Sequence, residues 1–268
     1  MKLVIFGDSW AFGSDLKDRV NTNYASHLKT MMGATEVINE AKPGISNAAI
    51  TLQLLSWLAT PGALEDDPFI VIGWTSPERA EVFFDYSVSK NANLENLFWT
   101  TLGPWILIDN WCDNEASPYR PKYHKYVEFY YTMMRNELSC YVEWIQQLML
   151  VEGLLKSKNI SFHMHQAIYY NQHFVTNHEK FMHWRDGPVN TEDMWNTLSS
   201  DTFLHKDKLD DMSLYGYLKE HMVNNRDNRG PRADLPFMNP GLGDHPNEYG
   251  HQLIAELLYN DMTEKGII

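Results

Sequence analysis

The first apolar run, Lys2-Leu-Val-Ile-Phe6, stops at Gly7 and hands the chain to Asp8, Ser9 and Trp10. A short run with no polar alternation is the pattern of a strand covered on both faces, so it predicts a buried parallel strand. Residues 23–32 fit a helix and 35–41 a second short strand. From Asn47 to Ala59 the pattern is helical, with Asn47 as the expected cap. Residues 68–74, PFIVIGW, form the clearest strand of the chain. Strands alternating with helices at this spacing predict βαβ units and an open parallel sheet.

The pattern then changes. Residues 84–124 are rich in Asn, Trp, Pro and Tyr without a sustained period, which predicts a large, irregular, aromatic-rich insertion. A long helix or kinked pair is expected over 126–159, where Met134, Leu138, Tyr141, Ile145, Leu148 and Leu155 share one face. Another strand fits 160–168, followed by a polar, His-rich and irregular region over 169–240 whose last part, 224–240, reads as a loop. A final helix follows within EYGHQLIAELLYNDMTEKG. No internal repeat divides the chain, so residues 1–268 are expected to form one elaborated domain.

Composition narrows the function. Over 268 residues, 44% hydrophobic and 21% charged content describes an ordinary globular protein. A net charge of −13 with no Lys/Arg run argues against nucleic acid as a partner. Cys112 and Cys140 match no metal-binding spacing and suit a reducing compartment, with one disulfide between them left open. The N-terminal apolar run is far shorter than the roughly 7–15 residues of a signal-peptide core, and Asp8 interrupts it. No run approaches the ~20 residues of a membrane span. The expectation is a soluble, cytoplasmic protein without membrane contact, leaving the cell by lysis or within a particle if it leaves at all.

Ligands of open α/β sheets bind beyond the carboxyl ends of the strands. Ser9, Gly44 and the segment after Gly73 all follow expected strands, so they should share that edge. A serine needs a base within hydrogen-bond reach and donors for the oxyanion that forms. His245, in an Asp-His-Pro turn before the last helix, is the best-placed base.

On these residues the chain resembles the SGNH (GDSL-like) hydrolase superfamily. FGDSWAFG is similar to its first block, with Ser9 as nucleophile. INEAKPGISNAAI is similar to the second, with Gly44 as backbone donor, and DHPNEYGHQLIA to the fifth, with His245 as base. The resemblance covers roughly the first 80 and last 30 residues. It implies a three-layer α/β/α sandwich of flavodoxin-like type with a mostly parallel sheet. Two departures stand out. Thr75 occupies the position of the family's oxyanion-hole Asn, with Asn47 as a substitute from the neighbouring loop. Leu242 occupies the position of its acid, three residues before the histidine. Asp244 is then the candidate acid, unless a backbone carbonyl orients the imidazole in a dyad. Asp8 reads as a turn-stabilising residue, and His251 as a residue that caps or packs its helix.

Trp10, Trp74 and Arg79 are the candidates for substrate contact, Arg79 having the alternative of pairing with Glu78 or Glu81. Phe98, Trp99, Trp105 and Trp111 either stack on sugar rings or pack the insertion. His163 and His165 lie on one strand face and are followed by His173, His178 and His183. They lack the accompanying ligands of a zinc site, and one of them could line the cleft. NPGLGD at 239–244 follows no strand and lacks the lysine of a phosphate loop. The reading is a serine esterase without metal or cofactor that removes O-acetyl or another small acyl group from a glycan or small-molecule ester. An acyltransferase and a catalytically weakened, particle-associated glycan-binding module on the same scaffold are the rivals. Compact members of this kind are similar to proteins of tailed phages.

Overall fold

The computed structural model describes residues 1–84, 98–102, 125, 128–130, 133, 137–168, 191–204, 213–224 and 245–268. Asp244, Leu242, Trp105, Trp111, His173, His178, His183, Cys112 and the expected loop after 224 lie outside them.

Four parallel strands form the central sheet: β1 (Lys2–Phe6), β2 (Glu36–Asn39), β3 (Pro68–Trp74) and, after a pair described below, β6 (Ser161–Gln166). Their spatial order is β2-β1-β3-β6. β1 sits in the middle, with Leu3 level with both Val37 and Phe69. Chain direction across the sheet reverses between β2 and β3, on either side of β1. Doubly wound sheets open a ligand crevice at that point, beyond the strands' carboxyl ends.

Alternation of side chains divides the core into two layers. Leu3, Ile5, Phe69 and Val71 point to one face, where they meet α3 (Tyr24–Met32) and, from the chain's other end, α7 (Leu214–Asn224) and α8 (Glu248–Glu264). Val4, Phe6, Ile70, Ile72 and Trp74 point to the opposite face. There they pack on α4 (Asn47–Leu58), α5 (Glu137–Ser157) and α6 (Thr191–Thr197). The result is the expected three-layer α/β/α sandwich. Ile145, Leu148 and Leu155, aligned by helical spacing, are all fully buried on α5.

Three expectations need correction. Ser46, not Asn47, caps α4 by accepting the Ala49 N–H; Asn47 is the first helical residue and its side chain is engaged elsewhere. Within the expected irregular insertion, β5 (Phe98–Leu102) pairs antiparallel with β4 (Ala80–Phe84). Its Phe-Trp-Thr-Thr composition favours a strand, but the surrounding Asn-rich sequence hid it. The stretch 169–240 contains α6 and α7. It also reinforces the free edge of β6, since Met164 donates to Thr202 at 2.7 Å and accepts from Leu204 at 2.9 Å. Two short helices, α1 (Ser9–Phe12) and α2 (Arg19–Thr22), precede α3.

Gly7, the residue that ends β1, is required by close approach. A Cβ there would lie 2.6 Å from Ala11 Cβ and 3.0 Å from the Gly73 carbonyl oxygen. Both neighbours are fixed, one by α1 and the other by β3. Gly7→Ala is therefore expected to lower stability by about 1–3 kcal/mol, the usual range for overpacking. Denaturant unfolding of the variant against wild type measures it, and an unchanged midpoint would contradict the packing described.

Candidate active site at the carboxyl edge of the sheet

The turn after β1 is organised by a buried carboxylate. Asp8 is fully buried and caps α1, its Oδ1 accepting the Trp10 N–H at 3.0 Å. Its Oδ2 accepts the Thr75 hydroxyl at 2.7 Å and Arg79 Nη1 at 3.3 Å. Arg79 Nη1 also donates to the Ile45 carbonyl at 3.4 Å. The Asp8–Arg79 pair thus binds together the loops that follow β1, β2 and β3. A charge at this depth is tolerated only when paired and hydrogen-bonded.

Ser9 emerges from that turn as the first residue of α1. Its carbonyl accepts the N–H groups of Gly13 at 3.0 Å and Ser14 at 2.9 Å, which closes the short helix. Neither the Ser9 hydroxyl nor its N–H has a hydrogen-bond partner among the described residues. The same holds for the N–H of Gly44, an exposed residue in the left-handed region at φ 75°. The Gly44 loop is held beside β1 by the Lys42 N–H, which donates to the Gly7 carbonyl at 3.0 Å. These two N–H groups remain available to an anion at the sheet edge.

The side chains expected to help them are occupied. Thr75 is fully buried, and its hydroxyl proton is directed at Asp8. The Asn47 amide clamps the backbone of Thr75, accepting its N–H at 2.8 Å and donating to its carbonyl at 3.0 Å. Gln166 of β6 donates to the same carbonyl at 2.8 Å. Thr75 and Asn47 therefore fix the loop after β3 and do not present donors to solvent. Trp10 and Trp74 are also corrected: they are 3% and 0% exposed and pack in opposite core layers, where no substrate can stack on them. Arg79 forms an ion pair with the buried Asp8.

His245 arrives from the other end of the chain. It lies two residues before Asn247, which caps α8 by accepting the Gly250 N–H at 2.9 Å. Its Nδ1 lies 2.7 Å from Oδ2 of Asp15, a residue of the loop closed on Ser9. Asp15 is in the left-handed region at φ 68°. Sequence reasoning missed this partner: an Asp in a Gly-Ser-Asp-Leu loop carries no periodic or motif signal, and 230 positions separate it from the histidine. A second tie runs beneath the first. His251, in the first turn of α8, accepts through Nδ1 the N–H of Tyr24 at the start of α3, at 3.2 Å.

Below this edge lies a layer of buried histidines. His163 and His165 are fully buried on the α8 side of β6, and His163 Nε2 meets Asp261 Oδ2 at 2.8 Å. Gly73 makes room for His165, since a Cβ there would stand 2.9 Å from the His165 Nε2. Burial holds the His163 and His165 rings below their ordinary basicity, His165 well below it. Burial, with His27 and His245 nearby, pushes His251 down to about 3. Among the described residues no group of three His, Cys, Asp or Glu side chains could hold a metal ion. No described helix is long and apolar enough to cross a membrane.

No family model and no curated protein matches the sequence. Among solved structures, the chain is similar to a two-domain esterase (CEX) active on acetylated mannans, crystallised with mannopentaose. The TM-score is 0.44 at 13% identity, covering 99% of this chain and 49% of that one. It thus spans about half the length of that esterase. It is also similar to a protein ascribed to the lipolytic G-D-S-L family from Desulfitobacterium hafniense, with TM-score 0.44, 11% identity and coverage of 97% and 98%. A third similar structure is a member of that family from Veillonella parvula, with TM-score 0.41, 13% identity and coverage of 98% and 97%. At such scores these likenesses carry no weight for the site, whose reading rests on its own residues.

Removing the Arg79 charge while keeping its bulk, as Arg79→Met, would leave Asp8 buried without its ion-pair partner. A loss of about 3–5 kcal/mol is expected in denaturant unfolding. A fully stable variant with weakened substrate binding would instead return Arg79 to the role of substrate contact.

The buried histidines predict acid sensitivity. A ring whose folded pKa lies below its unfolded value of 6.5 stays neutral in the fold but takes a proton on unfolding. Stability is then complete above about 6.5 and declines as pH falls toward about 3, by about 1.4 kcal/mol for each unit of depression. The thermal midpoint should fall across that window, and His251→Gln should flatten the fall. A midpoint independent of pH would refute it.

Proposed function

We propose that this chain is a serine esterase. The observation that carries the reading is the tie between the two ends of the chain: His245 is bound to the loop that closes on Ser9. Around it, the Ser9 hydroxyl and the N–H groups of Ser9 and Gly44, on the loops after β1 and β2, have no partner among the described residues.

In the proposed reaction the Ser9 oxygen attacks the acyl carbon while His245 Nε2 takes the hydroxyl proton. The carbonyl oxygen becomes an oxyanion held by the N–H groups of Ser9 and Gly44. Collapse breaks the bond to the alcohol, which leaves with the proton from His245. Water then adds to the acyl-serine with the same base, and the carboxylic acid is released. Every step is acid–base or nucleophilic and calls on no cofactor.

The substrate side of the proposal is a small acyl group, such as acetyl, on a carbohydrate. A groove of about 560 Å³ supports it: Glu40, Lys42 and Ile45 of the loop that carries Gly44 line it together with Gln53, Ser56 and Trp57 of α4. A half-buried indole among carboxylate, ammonium, amide and hydroxyl groups suits the alternating apolar faces and hydroxyls of a sugar. The occupied Thr75 and Asn47 side chains favour the rival reading, a glycan-binding module without turnover.

Turnover of a short-chain aryl ester, and of an O-acetylated oligosaccharide, separates these readings. Ser9→Ala is expected to reduce both to background and to prevent labelling by a serine-directed phosphonate. Glycan binding without turnover, unaffected by Ser9→Ala, would establish the binding module. A sugar alcohol that outcompetes water for the acyl group would establish transfer.

A further inference from the structure

We infer that Asp15 is the positioning acid of His245, a role that rests on the esterase reading and names a residue it leaves open. A neutral imidazole exists as two tautomers, and only the one carrying its proton on Nδ1 leaves Nε2 free to take a proton from serine. Asp15 Oδ2, 2.7 Å from His245 Nδ1, selects that tautomer and stabilises the imidazolium that forms when the serine proton arrives. Asp15 takes no proton itself.

Three independent observations point to the assignment. The first is the bond itself, which joins opposite ends of the chain. The second is backbone strain. Asp15 holds φ at 68°, a conformation that side chains other than glycine adopt at a cost of order 1–3 kcal/mol, and such strain persists where the surroundings impose it. The third is in the sequence near the histidine. Leu242 stands where the SGNH resemblance expects an acid, three residues before His245. An acid delivered from residue 15 accounts for the apolar residue at 242.

The delivery is also local. Gly13 caps α1 at φ 79°, and the Ser14 N–H returns to the Ser9 carbonyl at 2.9 Å. Ser9 and Asp15 therefore belong to one hydrogen-bonded turn, and the Asp15–His245 bond ties the imidazole to it. The Asp15 side chain is 53% exposed, which weakens the electrostatic part of its action and leaves orientation as the larger part.

The test uses Asp15→Gly and Asp15→Asn in the full chain. Glycine suits the left-handed backbone, so Asp15→Gly should unfold at or above the wild-type temperature and folding is not in question. Nitrogen-15 NMR of the resting protein should show the His245 proton on Nδ1 in wild type and largely on Nε2, or exchanging, in both variants. For aryl-ester cleavage, kcat should fall about 100-fold or more with KM little changed, and Asp15→Glu should recover part of it. An unchanged tautomer or an unchanged kcat in Asp15→Gly would overturn the assignment. So would a loss confined to Asp244→Asn. A wild-type protein that cleaves no ester overturns the esterase reading alone, and the ring tautomer still decides whether Asp15 orients His245.

Discussion

A carboxylate removed from water must be answered from several directions, and in this molecule the answers to Asp8 come from its own turn and from the loop after β3. The Trp10 N–H, the Thr75 hydroxyl and the Arg79 guanidinium converge on it, and Arg79 reaches on to the loop after β2. The carboxyl edge of the sheet is consequently a fixed surface and not a set of independent turns. Ser9 follows Asp8 directly, so the position of its hydroxyl is inherited from that pairing. Asn47 and Gln166 extend the same lattice by holding Thr75 from α4 and β6. Side chains committed in this way give up their own availability to a ligand, while the N–H groups of Ser9 and Gly44 have no partner among the described residues.

The two core layers explain why the chain's ends meet. Odd-numbered residues of β1 face α3 and α8, so the first strand and the last helix share one apolar layer. That layer also carries the polar exceptions, His163, His165 and His251. The bond from His251 to the first N–H of α3 sets the packing of α8 against α3, and the bond from His245 to Asp15 sets the loop that leads into α8. Convergence of the termini is thus built into the fold before any substrate arrives. Its acid sensitivity follows from the same source, because buried neutral imidazoles are the groups that gain a proton on unfolding.

Much of this was legible in the sequence, for identifiable reasons. Strands β1 and β3 are short apolar runs bounded by glycine or acidic turns, and such runs have few other structures open to them. The face of α5 could be read from Ile145, Leu148 and Leu155 because helical spacing survives any detail of packing. What escaped was set by contacts distant in sequence. Asn47 looked like a cap because its type favours one, yet Ser46 holds that position and Asn47 reaches Thr75 across 28 positions. Trp10 and Trp74 looked like ligand contacts because they neighbour site residues. Strand and helix geometry instead turns each toward the core.

Asp15 shows the limit most clearly. A motif records residues whose spacing along the chain is fixed by local geometry, as with the acid expected three positions before the histidine. When the same service comes from another element, the local signal vanishes while the chemistry remains satisfiable. Leu242 then reads as a defect in the motif, although the imidazole has a carboxylate at 2.7 Å. A sequence can therefore lose a motif position without losing the interaction, provided the fold brings a second group to the same atom. In this chain the fold does so through the loop that already carries the serine. The hydroxyl and the carboxylate are thereby placed on a single seven-residue unit, and only the imidazole has to be brought to it from elsewhere.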